Sequence, residues 1–199
     1  MGRAYVALFV CVLSPTLLQS QSRSDLFECE GCEAIHERSH DGLSWSTVIP
    51  GRGEPGDRLI LSGRVLKPDG KTPAPGVVVY AYHTNAAGIY PTRGNEKGWG
   101  RRHGYLRGWV MTNEAGQYRF ETIRPGAYPN RTDPAHIHVT IKEPNRREYW
   151  IDEVVFEGDP HVNERYRSRE QKRGGTGIVR LTRNGDGVWL AERDIVLER

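Results

Sequence analysis

The chain has 199 residues, enough for one domain with short appendages. Hydrophobic residues make up only 37% and are interrupted by 23 glycines and 12 prolines, which is low for a large helical core and suits a loop-rich β domain. The net charge of +3 is small and mixed in sign, so it gives no argument for a nucleic-acid partner.

Residues 1–21 read as a secretory signal peptide. Arg3 is a short positive start, 4–13 is an apolar run too short to span a bilayer comfortably, and Pro15 and the polar Gln19-Ser20-Gln21-Ser22 follow. The other readings are an uncleaved anchor or a buried N-terminal segment. Leu8-Phe9-Val10 before Cys11 lack the small residues of a lipoprotein site. The mature chain is therefore expected to be secreted or periplasmic, with no stable membrane association.

Residues 22–55 form a polar, Gly-rich N-terminal arm carrying Cys29-Glu30-Gly31-Cys32. In an exported protein this pair is expected to close a local disulfide that stiffens one turn. Half of a zinc site, with His36 or His40, and a redox pair are the alternatives, but the βαβ context of a redox pair is absent.

Residues 56–199 read as an all-β domain. A strand over 58–66 ends at the Pro68-Asp69-Gly70 turn, and 77–83 is a short, β-branched, aromatic buried strand. A long Gly-rich stretch, 86–106, carries Tyr90, Trp99 and Tyr105, and a loop of that length is usually functional or disordered. Next, 107–112, the turn Asn113-Glu114-Ala115-Gly116 and 117–121 read as a hairpin, with Tyr118 and Phe120 inward. A second loop, 124–133, leads into an alternating strand over 135–141. Further strands are expected over 148–156, 178–181 and 188–196, the last after the hairpin turn Asn184-Gly185-Asp186-Gly187. His161 reads as a solvated loop residue and the basic run 165–173 as an exposed face. About eight strands and no helix beyond two turns predict an antiparallel β-sandwich whose long loops carry the site.

The candidate chemistry begins at His136-Ile137-His138. On a strand, residues i and i+2 share a face, so the two imidazoles project together as a metal-binding pair suited to Zn, Cu, Fe or Ni. Two Tyr-Pro steps, Tyr90-Pro91 and Tyr128-Pro129, each follow a Gly-rich turn. Ionising a phenol of ordinary pKa about 10 at neutral pH needs a strong local positive charge, which a ferric ion supplies. Two phenolates and a hydroxide would neutralise that ion and lower the cost of burying it. On the residues alone, Tyr90 reads equally well as a loop aromatic covering the core edge.

The ordered run Tyr118-Arg119-Phe120-Glu121-Thr122-Ile123-Arg124-Pro125-Gly126-Ala127-Tyr128-Pro129, followed by Pro134-Ala135-His136-Ile137-His138, resembles the intradiol ring-cleavage dioxygenases, the family of catechol and protocatechuate 3,4-dioxygenases. The resemblance covers roughly residues 58–160 and implies the same sandwich. It implies Fe(3+) held by Tyr90, Tyr128, His136 and His138 with a hydroxide. Tyr128 would be displaced by a catechol substrate, and O2 would cleave the ring to a cis,cis-muconate-type diacid. Two positions depart from the family pattern: Asn130 stands in place of a Trp and Asp133 in place of an Arg. Arg131 is the nearest substitute for that arginine and Arg124 the second, and Asp133 is expected to disfavour carboxylated catechols. The N-terminal helical domain of the longer catechol enzymes has no room here. A homo-oligomer is compatible with the sequence. The competing readings are a non-catalytic, transthyretin-like sandwich that binds ligands, and a Zn or Cu site built from the His pair with Asp133.

Overall fold

Among the described residues, eleven short strands sort into two packed sheets because the apolar residues of the longer strands alternate and each sheet must bury one face. The computed structural model describes residue 1 and residues 25–49 and 53–199; the expected signal segment lies outside the described residues, apart from residue 1. Among the described residues, no helix is long and apolar enough to cross a membrane.

The first sheet runs β1 (Ser46–Val48), β5 (Gln117–Ile123), β2 (Arg58–Leu66), β10 (Trp189–Glu192) and β9 (Leu181–Arg183), with β11 (Ile195–Val196) also paired to β2. The second runs β4 (Arg107–Met111), β3 (Val78–His83), β6 (His136–Lys142), β7 (Tyr149–Phe156) and β8 (Ile178–Val179). Leu59, Leu61, Tyr118 and Phe120 from the first sheet meet Val79, Val110, Ile137, Val139 and Ile141 from the second in one core. Each such aliphatic side chain contributes roughly 1.5–3 kcal/mol by leaving water.

The all-β sandwich is as expected, but both sheets are mixed. The longer strands pair antiparallel, while β1 on β5, β10 and β11 on β2, and β8 on β7 are parallel. The stretch 107–121 is not a hairpin. β4 pairs with β3 and β5 with β2, so the turn at Asn113–Gly116 carries the chain from one sheet to the other. Asn113 still nucleates that turn, its side-chain oxygen accepting the N–H groups of Ala115 and Gln117. The last strand is broken where the Asp194 carboxylate accepts the Arg64 N–H (2.9 Å) and pairs with its guanidinium. The basic run is not wholly exposed either. Arg173 is fully buried, stacked 3.8 Å over Trp150 and paired with Asp25.

The second sheet is covered on both faces. A 3-10 helix, Cys32–Glu37, lays Ala34 and Ile35 on Val78, Tyr80 and Trp109. Double burial is why β3 reads as a nearly unbroken apolar run. The arm is tied by the Cys29–Cys32 disulfide, which leaves no thiolates for zinc. His36 lies 3.1 Å from Glu148, and His40 Nε2 bonds the Ile35 carbonyl.

Candidate metal centre

β3 from one sheet and β5 from the other leave the sandwich at the end where β6 enters it, and the loops after them close over the start of β6. The first loop is a tight turn built on Asn85. Its side-chain oxygen accepts the Ala87 and Ile89 N–H groups (3.0 and 3.1 Å), and its carbonyl accepts that of Gly88 (3.0 Å). The second is pinned to the first where Gly126 N–H donates to the Asn85 carbonyl (2.9 Å) and Thr84 Oγ1 donates to the Gly126 carbonyl (2.7 Å). Contact is backbone on backbone. A Cβ on Gly88 would stand 1.9 Å from the Ala127 oxygen, and one on Gly126 2.3 Å from the Ala86 oxygen. Glycine is required at both positions, and at Gly88 the φ of +78° requires it again.

This contact brings the two phenols together. Tyr90 Oη lies 2.5 Å from Tyr128 Oη and 2.9 Å from His138 Nε2. Tyr128 Oη is 3.2 Å from His136 Nε2 and 3.3 Å from His138 Nε2, and the two imidazole nitrogens are 3.0 Å apart. Four donor atoms from three chain segments thus meet at one point. His136 and His138 face outward from β6 while Ile137 and Val139 enter the core, as alternation predicts.

The far sides of both imidazoles are oriented as well. His136 Nδ1 donates to the Pro134 carbonyl (2.7 Å), which fixes the tautomer and leaves the Nε2 lone pair facing the other donors. His138 Nδ1 lies 3.6 Å from the Glu153 carboxylate. Glu153 reaches it because the register between β6 and β7 shifts there. Ile137 opposes Val154 and Val139 opposes Ile151, so Asp152 and Glu153 together oppose His138. A bulge of this kind re-aims side chains. One face of His138 stacks on Tyr82 (4.5 Å), which stacks in turn on His103 (3.7 Å), itself beside Trp99. Tyr82, His103 and Glu153 were not singled out from sequence. Tyr82 sits two residues after Tyr80 on a strand that reads as core, and Glu153 is positioned only by the bulge.

Burial, reinforced by the neighbouring imidazoles, holds His138 neutral, far below the usual imidazole range. Burial also raises both phenols, and for Tyr90 the Tyr128 oxygen adds to it. With no cation present, both stay protonated at neutral pH. The arrangement suits a metal. Ligand distances of about 2.0–2.2 Å, at angles between a right angle and tetrahedral, put donor atoms about 2.8–3.6 Å apart, so the observed spacing needs to open by only a few tenths of an ångström. Two imidazoles, that of His136 with its tautomer fixed, and two phenols able to become anions fit a highly charged, oxygen-preferring cation.

Of the remaining predicted residues, Arg131 lies over the Tyr128 ring (5.8 Å) and 4.0 Å from Asp133, both exposed. Arg124 instead packs on Phe156 and Trp189. Asn130 has a φ of 60°, in the left-handed region that Asn tolerates and a Trp would not. Asp133 does not complete the His pair, since no three His, Cys, Asp or Glu side chains gather into a metal set among the described residues. His161 is half-buried and stands outside the donor set.

Residues 40–173 match the protein-family model described as Dioxygenase. The chain is 33% identical over 150 residues to the protocatechuate 3,4-dioxygenase beta chain of Burkholderia cepacia, which is 72% of this chain and 62% of that protein. It is 31% identical over 171 residues to catechol 1,2-dioxygenase 1 of Acinetobacter lwoffii, 70% of this chain and 51% of that one. It therefore spans about half to three fifths of the length of these relatives. The dioxygenase domain of a dioxygenase carbohydrate-binding protein fusion from Streptomyces sp. SirexAA-E has the same fold, with a TM-score of 0.59 at 24% identity, covering 76% of this chain and 86% of that one.

Proposed function

Because the chain belongs to the dioxygenase family whose model it matches, we propose that it is a non-haem Fe(III) intradiol dioxygenase acting on a small catechol with O2. The observation that carries the reading is the meeting of Tyr90, Tyr128, His136 and His138, each donor atom lying 2.5–3.3 Å from at least two others, from two loops that leave different sheets and from strand β6. These four would hold the ion. When bound, it would supply a Lewis acid that chelates the diol and an electron acceptor that opens the catecholate ring to O2.

The chain's own residues do the rest. Deprotonated Tyr90 and Tyr128, with a hydroxide, balance the charge of a ferric ion, so a substrate diol that binds as a dianion must displace two anions. Tyr128 is the phenolate that leaves, and its Oη accepts one proton of the diol. Arg131, beside the Tyr128 ring, places a cation where negative charge builds on the substrate oxygens. Tyr82, stacked on the His138 ring, keeps it from turning. Cleavage between the hydroxylated carbons puts both atoms of O2 into a cis,cis-muconate-type diacid. Asp133, near this rim, disfavours carboxylated catechols such as protocatechuate. The Cys29–Cys32 disulfide supports an exported location, secreted or periplasmic.

The test is the visible spectrum of iron-loaded protein together with oxygen uptake on a catechol panel. Ferric tyrosinate absorbs in the visible, so a coloured preparation consuming one O2 per catechol is expected. A colourless iron-loaded preparation overturns the assignment.

A further inference from the structure

A cavity of about 250 Å³ opens on the His138 side of the four donors and is lined there by His138 and by Tyr82, which stacks on it. It lies between the outer face of the second sheet and the N-terminal arm, with the disulfide in its wall. At this size it takes a single ring with a short substituent. Three carboxylates line it, Glu153 from β7 and Glu28 and Glu30 from the arm, and no Lys or Arg is among its described lining residues. Arg102 pairs with Glu30, and Arg173 stacks on Trp150, another wall residue. Because the four donors and a hydroxide bring a ferric ion to neutrality, the charge a substituent meets here comes from the walls, where the three carboxylates outnumber the two adjoining guanidiniums and leave it negative on balance. Trp150 adds an aromatic ring, which with carboxylates forms the usual surroundings of an ammonium group.

We propose, on the dioxygenase reading above, that the preferred substrate is a catechol bearing a short cationic side chain. Its diol reaches the donors past His138 and its ammonium lies against Glu28, Glu30 and Trp150. The arm then acts as a specificity element, and an anionic side chain is repelled by the same wall.

Anaerobic titration of the iron-loaded full chain, followed by the visible band, compares ethylcatechol, aminoethylcatechol and carboxymethylcatechol, each substituted para to one hydroxyl. Aminoethylcatechol is expected to bind about tenfold more tightly than ethylcatechol, a difference of about 1.4 kcal/mol. The advantage shrinks as ionic strength rises, because the carboxylates of Glu28 and Glu30 are exposed. The E28Q/E30Q double variant should bring the ratio to within about twofold while leaving ethylcatechol affinity unchanged. An amine that binds no better than ethylcatechol, or an advantage that survives in E28Q/E30Q, overturns the proposal and leaves the dioxygenase reading intact. If ethylcatechol also leaves the band unmoved, the dioxygenase reading falls and takes this one with it.

Discussion

Gly88→Ala tests whether the contact between the two loops builds the donor set. The new methyl carbon would lie 1.9 Å from the Ala127 carbonyl oxygen, about 1.5 Å short of the 3.4 Å at which ordinary contact begins. Neither atom belongs to a flexible side chain, so the Tyr90 and Tyr128 loops must part by a comparable distance. Metal–ligand distances tolerate about 0.2 Å, so this displacement removes at least one phenol from the set. The left-handed φ of +78° adds about 1–2 kcal/mol of strain, a fall in Tm of only a few degrees for a chain of this size. The variant should stay folded and yet lose iron affinity by about 100-fold or more, with loss of the visible band. Gly185→Ala, whose methyl would meet nothing within 4 Å, is the control and should change neither property. Iron competition titrations beside thermal melts separate the two effects. A Gly88→Ala protein that binds iron as tightly as the parent, with the same band, would refute the reasoning.

Tyr128→Phe keeps the edge contact with His136 and removes only the oxygen, so colour and iron retention should weaken together in visible spectra and metal analysis. Tyr82→Leu removes the ring stacked between His103 and His138, while Tyr82→Phe retains it; metal competition should show about tenfold weaker iron binding for the first and little change for the second. His83 is fully buried between the Thr84 carbonyl and the Thr122 hydroxyl, and burial pushes its pKa down to about 4, against about 6.5 in the unfolded chain. The unfolded state therefore takes up the proton first. Stability is complete above pH 6.5 and falls as the pH drops toward 4, by up to about 3 kcal/mol. Urea unfolding across that range should show the slope, and His83→Gln should flatten it.

Where function depends on strand period, it was legible in the sequence. His136 and His138 face outward because side chains alternate on any strand, and Tyr118 and Phe120 enter the core for the same reason. The approach of Tyr90 to Tyr128 followed only from resemblance. The two lie 38 residues apart on loops from different sheets, and no local pattern encodes the approach of their backbones. The misread hairpin has a related cause. Asn113 and Gly116 make the same turn whether the strands beside it pair with each other or with separate sheets. Arg173 was lost in a run of basic residues because its burial depends on Trp150 and Asp25, both distant in sequence.

The two phenols are held very differently, and the difference fits their proposed roles. Tyr90 follows a turn in which Asn85 binds three N–H groups, and it precedes Pro91, whose carbonyl accepts the Tyr105 N–H (3.0 Å). It is fixed from both sides. Tyr128 is fixed only from before, by the bonds to Gly126. After it, residues 129–133 are all exposed, and the turn there is closed by the Arg131 N–H reaching the Tyr128 carbonyl at 3.4 Å. A donor that must stay needs a rigid mount, and one that must leave needs slack on at least one side. The slack lies after Tyr128, on the segment that also carries Arg131, so the phenol can move out while the cation beside it follows the negative charge.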